Sequence, residues 1–212
     1  MTDDLITRLA GELKPTPKRA VERRLLLALL VGVLVTVIGA YLVLDLMMGR
    51  PFGGADSAVM FWTKFGYTFA FGLLGLAAAP VLVRPEGRIV WPLAAAGILA
   101  LLALSWGSMM WMRADWAMEM VMGKTAMVCP WLIVLAGLPV LTALLAAMRS
   151  LAPRSPTLAG FAAGLIAGGF GAWAYSFYCG ETSMMFMAVW YSLGIALTAL
   201  LGAALGKLVL RW

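Results

Sequence analysis

Two cysteines and an uneven scatter of methionines are the residues best suited to chemistry in this chain. Cys129 is followed by Pro130 and Cys179 by Gly180. There is no Cys-x-x-Cys, so a quinone-linked thiol oxidase of the usual kind is not expected. Of 15 methionines, all but Met1 and Met148 fall in or beside the same set of connectors as the cysteines. They are Met47, Met48, Met60, Met109, Met110, Met112, Met118, Met120, Met122, Met127, Met184, Met185 and Met187. Apolar filler would be spread along the chain as leucine is. Thioethers and thiolates bind soft metals, Cu(I) above all, and both are open to oxidation. Cys129 and Cys179 are therefore candidate redox-sensing or metal-binding residues. Met109, Met110, Met112, Met118, Met120, Met122, Met127, Met184, Met185 and Met187 are candidate thioether partners. The alternatives are a structural disulfide and adaptable packing of a loose rim.

Other chemistries are thinly represented. Histidine is absent, which removes the commonest neutral-pH acid–base group. No phosphate-binding glycine loop with a lysine, nucleophile elbow or pair of acidic residues within an apolar stretch occurs. No internal repeat of the kind transporters carry is evident. Neither an enzyme nor a cofactor is expected, although a soft metal such as Cu(I) could serve as a signal. An outer-facing copper-binding or copper-transporting membrane protein is the alternative reading.

The elements that must position these residues follow from composition. Of 212 residues, 63% are hydrophobic and 12% charged, and the mean hydropathy is +0.95. A soluble domain would carry roughly a quarter charged residues. A helix needs about 20 apolar residues to cross a hydrocarbon core of about 30 Å, and six stretches qualify. They run approximately over Leu25–Met47, Ala58–Val83, Ile89–Trp106, Ala126–Met148, Leu158–Tyr178 and Met185–Leu208. The fold class is all-α, a polytopic bundle of six transmembrane helices, with residues 25–212 as one membrane domain. No cleaved signal peptide is expected ahead of it.

Charge sets the expected direction. Arg8, Lys14, Lys18, Arg19, Arg23, Arg24, Arg84, Arg88, Arg149, Arg154, Lys207 and Arg211 fall on one side, twelve of the 16 basic residues. Only Arg50, Arg113 and Lys124 fall on the other. Basic loops stay in the cytoplasm, so both termini are expected there and both cysteines on the far side. In a bacterial inner membrane that far side is oxidising, and a disulfide there would persist. The net charge of +6 is explained by this asymmetry and implies lipid, not nucleic acid. Trp62, Trp106, Trp111, Trp116, Trp131 and Trp190 are expected near the outer interface, with Trp91 and Trp212 near the inner one. Gly160, Gly164 and Gly168 recur every fourth residue, as do Gly202 and Gly206. That spacing predicts close packing of the fifth and sixth spans. Lys64 lies inside the second span, about two turns from its outer end, and Asp45 lies at similar depth in the first. A structural ion pair is expected.

Residues 1–24 form a cytoplasmic arm. Thr2 or Asp3 could cap a helix on which Leu5, Ile6, Leu9 and Leu13 share one face, before Pro15 and Pro17 interrupt it. A stripe of this length calls for a cover: a groove in another protein, lipid, or the arm's own loops.

Several local features together resemble the NrsF/OsrA-type membrane anti-sigma factors of proteobacteria along essentially the full length. They are Thr2-Asp3-Asp4-Leu5-Ile6 with Leu9, Leu13 and Pro15; Cys129-Pro130; Leu158-Ala159-Gly160; Cys179; Trp190-Tyr191-Ser192-Leu193-Gly194; and Arg211-Trp212. The resemblance implies a six-span inner-membrane protein that holds an extracytoplasmic-function (ECF) sigma factor inactive. It implies that Cys129 and Cys179 transmit an oxidative or metal stress signal. Leu5, Ile6, Leu9 and Leu13 would then dock the sigma factor, which is released to switch on a repair or detoxification regulon.

Overall fold

The computed structural model describes residues 19–50, 52–53, 57–84, 91–151 and 153–210. Six helices are long and apolar enough to cross a membrane: α1 (Ala20–Met47), α2 (Ala58–Leu82), α3 (Trp91–Arg113), α4 (Cys129–Met148), α5 (Pro156–Ser176) and α6 (Met184–Val209). A single helical turn, Glu119–Met122, lies between α3 and α4. No strand occurs among the described residues.

Local chemistry explains where several helices begin. The Ser57, Ser155 and Ser183 hydroxyls accept from the amides of Met60, Leu158 and Phe186, satisfying a donor that the first turn leaves free. Pro156 opens α5 where a missing N–H does no harm. The third span runs to Arg113, seven residues past the Trp106 boundary expected from its apolar run. Ser105 and Ser108 do not break it, because their hydroxyls donate to the carbonyls of Leu101 and Leu104 one turn back. Two stretches are wound as π-helix, Tyr41–Met47 at the end of α1 and Met187–Tyr191 near the start of α6. Such wider turns re-aim side chains and are frequent at functional sites.

The bundle is built around α5, which packs against α2, α4 and α6. Its residues from Ala162 through Ala172 are all buried, so it can afford little side-chain bulk. A Cβ on Gly160 would meet the Gly202 carbonyl and lie 2.7 Å from Gly206 Cα; one on Gly164 would lie 2.7 Å from Ala199 Cα. The expected α5–α6 seam is therefore present. Two further faces of α5 use glycine without the regular spacing: Gly169 abuts Gly72 of α2, and Gly171 abuts Gly137 of α4. Helix α1 flanks α4, and α3 lies against α2 and the start of α6. The outer helices show Leu26, Leu30, Leu34 and Ile38 on α1 and Ile98, Leu101 and Leu102 on α3. Such faces suit a hydrocarbon surround and would be costly in water.

Two buried cores divide the bundle end to end. One gathers Leu25, Leu29, Leu82, Leu144 and Met148, near the exposed arginines Arg23, Arg24, Arg84 and Arg149. There Arg84 pairs with Glu22 at 2.6 Å and Arg24 donates to the Ser150 hydroxyl. The other gathers Cys129, Cys179, Tyr175, Phe186, Met187 and Tyr191.

Candidate functional site

Cys129 is the first residue of α4, and Cys179 lies in the segment joining α5 to α6. Both are free and buried, at 0% and 1% exposure, in the same core cluster. They share that cluster with Tyr175, Phe186, Met187 and Tyr191. The fold thus brings together two side chains 50 residues apart in sequence. Tyr175 and Tyr191, both fully buried, stand with ring centroids 5.9 Å apart. The Tyr175 hydroxyl accepts from Arg50 at 3.2 Å, while the Tyr191 hydroxyl has no partner. Tyr191 closes the π-wound stretch of α6, and that extra residue per turn aims its ring into the cluster.

Lys64 does not pair with Asp45. Among the described residues the one ion pair is Arg84–Glu22. The Lys64 ammonium, 1% exposed, donates instead to two backbone carbonyls, Cys179 at 3.0 Å and Glu181. Its nitrogen also sits 5.7 Å from the Tyr191 ring centroid, within cation–π reach. The reason for the difference is local. The segment between α5 and α6 turns back over the mouth of α2, and its unpaired carbonyls are nearer acceptors than a carboxylate on α1.

The segment from Ala114 to Val128 closes over this cluster. Asp115 and Trp116 take positive φ, 50° and 60°, reversing the chain after α3. Trp111 then donates to the Ala117 carbonyl at 3.0 Å. The Glu181 carboxylate accepts from the Lys124 amide at 2.8 Å and the Thr125 hydroxyl at 3.0 Å. The Ser183 hydroxyl donates to the Met120 carbonyl at 2.6 Å, and the Trp190 indole to Val121 at 2.8 Å. At Gly123, φ is +50° and a Cβ would lie 2.9 Å from the Phe186 ring, so glycine is required there twice over. Trp190, expected as an interfacial anchor, is half-buried and ties α6 to the connector after α3.

The methionines divide. Met187 is fully buried in the thiol cluster, and Met122 and Met184 pack on its edge. Met185 packs over Gly107 of α3, whose Cβ would lie 3.2 Å from its sulfur. Met109 and Met120 are half-buried; Met110, Met112, Met118 and Met127 are exposed. The ten thioethers thus form no single site around the thiols. Among the described residues no three His, Cys, Asp or Glu side chains gather as a metal centre would need. Leu5, Ile6, Leu9 and Leu13 lie outside the described residues.

Sequence reasoning assigned no site role to Tyr175, Tyr191, Arg50, Thr125 or Glu181. Glu181 carried a usable signal: it is an acid two residues from Cys179 in a short connector. Tyr191 stood within Trp190-Tyr191-Ser192-Leu193-Gly194, but Tyr175 carried no signal, since aromatic residues in apolar spans are ordinary filler.

Residues 9–212 match the family described as negative regulator of sigma F, NrsF. The chain belongs to the NrsF family. The anti-sigma-F factor NrsF of Caulobacter vibrioides is 37% identical across 100% of this chain and 99% of its own length. The probable anti-sigma-F factor NrsF of Azospira oryzae is 35% identical with the same coverage. No solved structure matches. This NrsF-family chain is a regulator and not an enzyme. The matched region contains Cys129, Cys179, Lys64 and Glu181, along with Leu9 and Leu13, and begins after Leu5 and Ile6.

Proposed function

We propose that the chain is an anti-sigma factor of the bacterial inner membrane that holds an ECF sigma factor inactive and frees it under stress. Both termini face the cytoplasm, and residues 1–24 dock the sigma factor through Leu5, Ile6, Leu9 and Leu13. Cys129 and Cys179 face the periplasm and take the signal, an oxidant or a soft metal ion such as Cu(I). The supporting observation is that both thiols are buried in one cluster, at the end of the bundle away from exposed Arg23, Arg24, Arg84 and Arg149. The Caulobacter and Azospira relatives carry anti-sigma-F names over their full lengths.

Burial suits a switch. A disulfide closed between the thiols, or a metal bridging them, changes the contacts of a buried core that also holds Tyr175, Tyr191 and Met187. Inverting a 99:1 sequestered population requires the signal to favour the released state by about 5.5 kcal/mol. A new covalent bond or chelate is of that order; one exposed methionine sulfoxide is not.

The test is a sigma-dependent reporter in cells carrying Cys129→Ser, Cys179→Ser or both, challenged with hypochlorite, peroxide or a soft metal salt. Each variant is expected in the membrane at the normal level with induction lost. Unimpaired induction in both single variants refutes thiol sensing. Failure of the sigma factor to co-purify from unstressed cells refutes sequestration.

A further inference from the structure

A buried ammonium without a carboxylate is costly, and Lys64 is such a group among the described residues. Its hydrogen bonds explain what it is for. Lys64 reaches from α2 to the carbonyls of Cys179 and Glu181, on either side of Gly180. The carboxylate of that same Glu181 takes the Lys124 amide and the Thr125 hydroxyl. The Thr125 carbonyl accepts the Cys129 amide at 2.9 Å. One unbroken chain of hydrogen bonds therefore runs from Cys179 through Lys64, Glu181 and Thr125 to Cys129. The other ties to the connector after α3, from Ser183 and from Trp190 of α6, lie on the α6 side of it.

We infer that Lys64 and Glu181 are positioning residues of the thiol pair: together they form a clasp that holds Cys179 against Cys129 and keeps both covered. The inference rests on the thiol-sensing function proposed above. Neither residue reacts. Lys64 fixes the backbone on both sides of Gly180, a position that would otherwise be free to swing. Glu181 passes that constraint to the turn that starts α4. Opening the clasp exposes the thiols singly while taking them out of register with each other.

Two rates on the purified, reduced full-length protein in detergent separate positioning from general loosening. The first is alkylation of each thiol by N-ethylmaleimide, which reads exposure. The second is disulfide closure by diamide, which reads register. In that reaction two S–H bonds break, one S–S bond forms, and the two electrons and two protons pass to diamide, giving its hydrazine.

Lys64→Met is expected to speed alkylation at least tenfold and to slow disulfide closure at least tenfold. Lys64→Arg, which keeps the donors and the charge, restores both rates to within about threefold of the parent. Glu181→Ala, at a half-buried position, moves both rates in the same directions as Lys64→Met and stands in if that variant does not insert. Rates that rise together show a loosened bundle and overturn the inference, as does a Lys64→Met or Glu181→Ala protein with both rates unchanged. No sigma factor is present in this assay. A failure here leaves cysteine-dependent induction intact, and a failure of the reporter experiment leaves these rates intact.

Discussion

Replacing Gly164 by alanine adds one methyl group, and the α5–α6 seam has no space for it. The new Cβ would lie 2.7 Å from Ala199 Cα and closer still to the Thr198 carbonyl. Carbon atoms rest at about 3.5–4.0 Å, so the two backbones must part locally by about 1 Å. Both obstacles are main chain, and no rotamer change relieves them. Gly160 and Gly168 line the same seam, at 2.7 Å and 3.0 Å from Gly206 Cα and Ile195 Cα on the same measure. Their contacts stretch as well, and a gap of about 0.5–1 Å forfeits a quarter to a half of each dispersion well. Overpacking of this kind costs about 1–3 kcal/mol, against which alanine recovers about 1 kcal/mol of helix propensity.

Gly97→Ala in α3 isolates the propensity gain, since nothing lies within 4 Å of its Cβ. Reversible unfolding in mixed micelles, followed by helical circular dichroism, should give a Gly164→Ala protein less stable than the parent by up to about 2 kcal/mol. The Gly97→Ala protein should be unchanged or more stable by up to about 1 kcal/mol. Equal stability of the two variants would show that α5 and α6 do not touch through their backbones, and the central position of α5 would fall with that result.

Two further outcomes follow from ties at opposite ends of the bundle. Trp190→Phe removes the 2.8 Å bond to the Val121 carbonyl at a cost of about 1 kcal/mol. It should speed limited proteolysis between residues 114 and 128 with helical content preserved; unchanged proteolysis refutes that tie. The Arg84–Glu22 pair is solvent-accessible, with side chains 51% and 35% exposed. A double-mutant cycle with Arg84→Gln and Glu22→Gln should give a coupling below about 1 kcal/mol that fades in high salt. A larger, salt-independent coupling would contradict that picture.

Features that repeat along the chain were legible in the sequence. Six apolar runs announced six helices, and the four-residue glycine interval announced the α5–α6 seam. Features that depend on which atoms meet were not. Gly72, Gly137, Gly169 and Gly171 make equally close approaches without any common interval, because each face of α5 meets a helix crossing at its own point. The ion pair expected of Lys64 failed for a related reason: side-chain types suggest a carboxylate, but the nearest acceptors are carbonyls, which every residue carries. The end of α3 was misread because hydropathy drops at Ser105 and Ser108 while helix geometry does not. The two cysteines were expected at the same depth, and they share one buried cluster; the tyrosines, Glu181 and Thr125 that surround them appear only once the two connectors are folded over each other.

Helix α5 has one more consequence. With 21 residues rising about 1.5 Å each, it is a rod about 30 Å long whose seams with α2, α4 and α6 each include a glycine contact. Cys179 stands three residues past one tip, and Arg154 two residues before the other. Displacement of α5 would be felt by α2, α4 and α6 together, because all three rest on the same shaft. Rotation or sliding of that shaft by a fraction of a turn would reach the arginine-bearing tip without any helix having to bend.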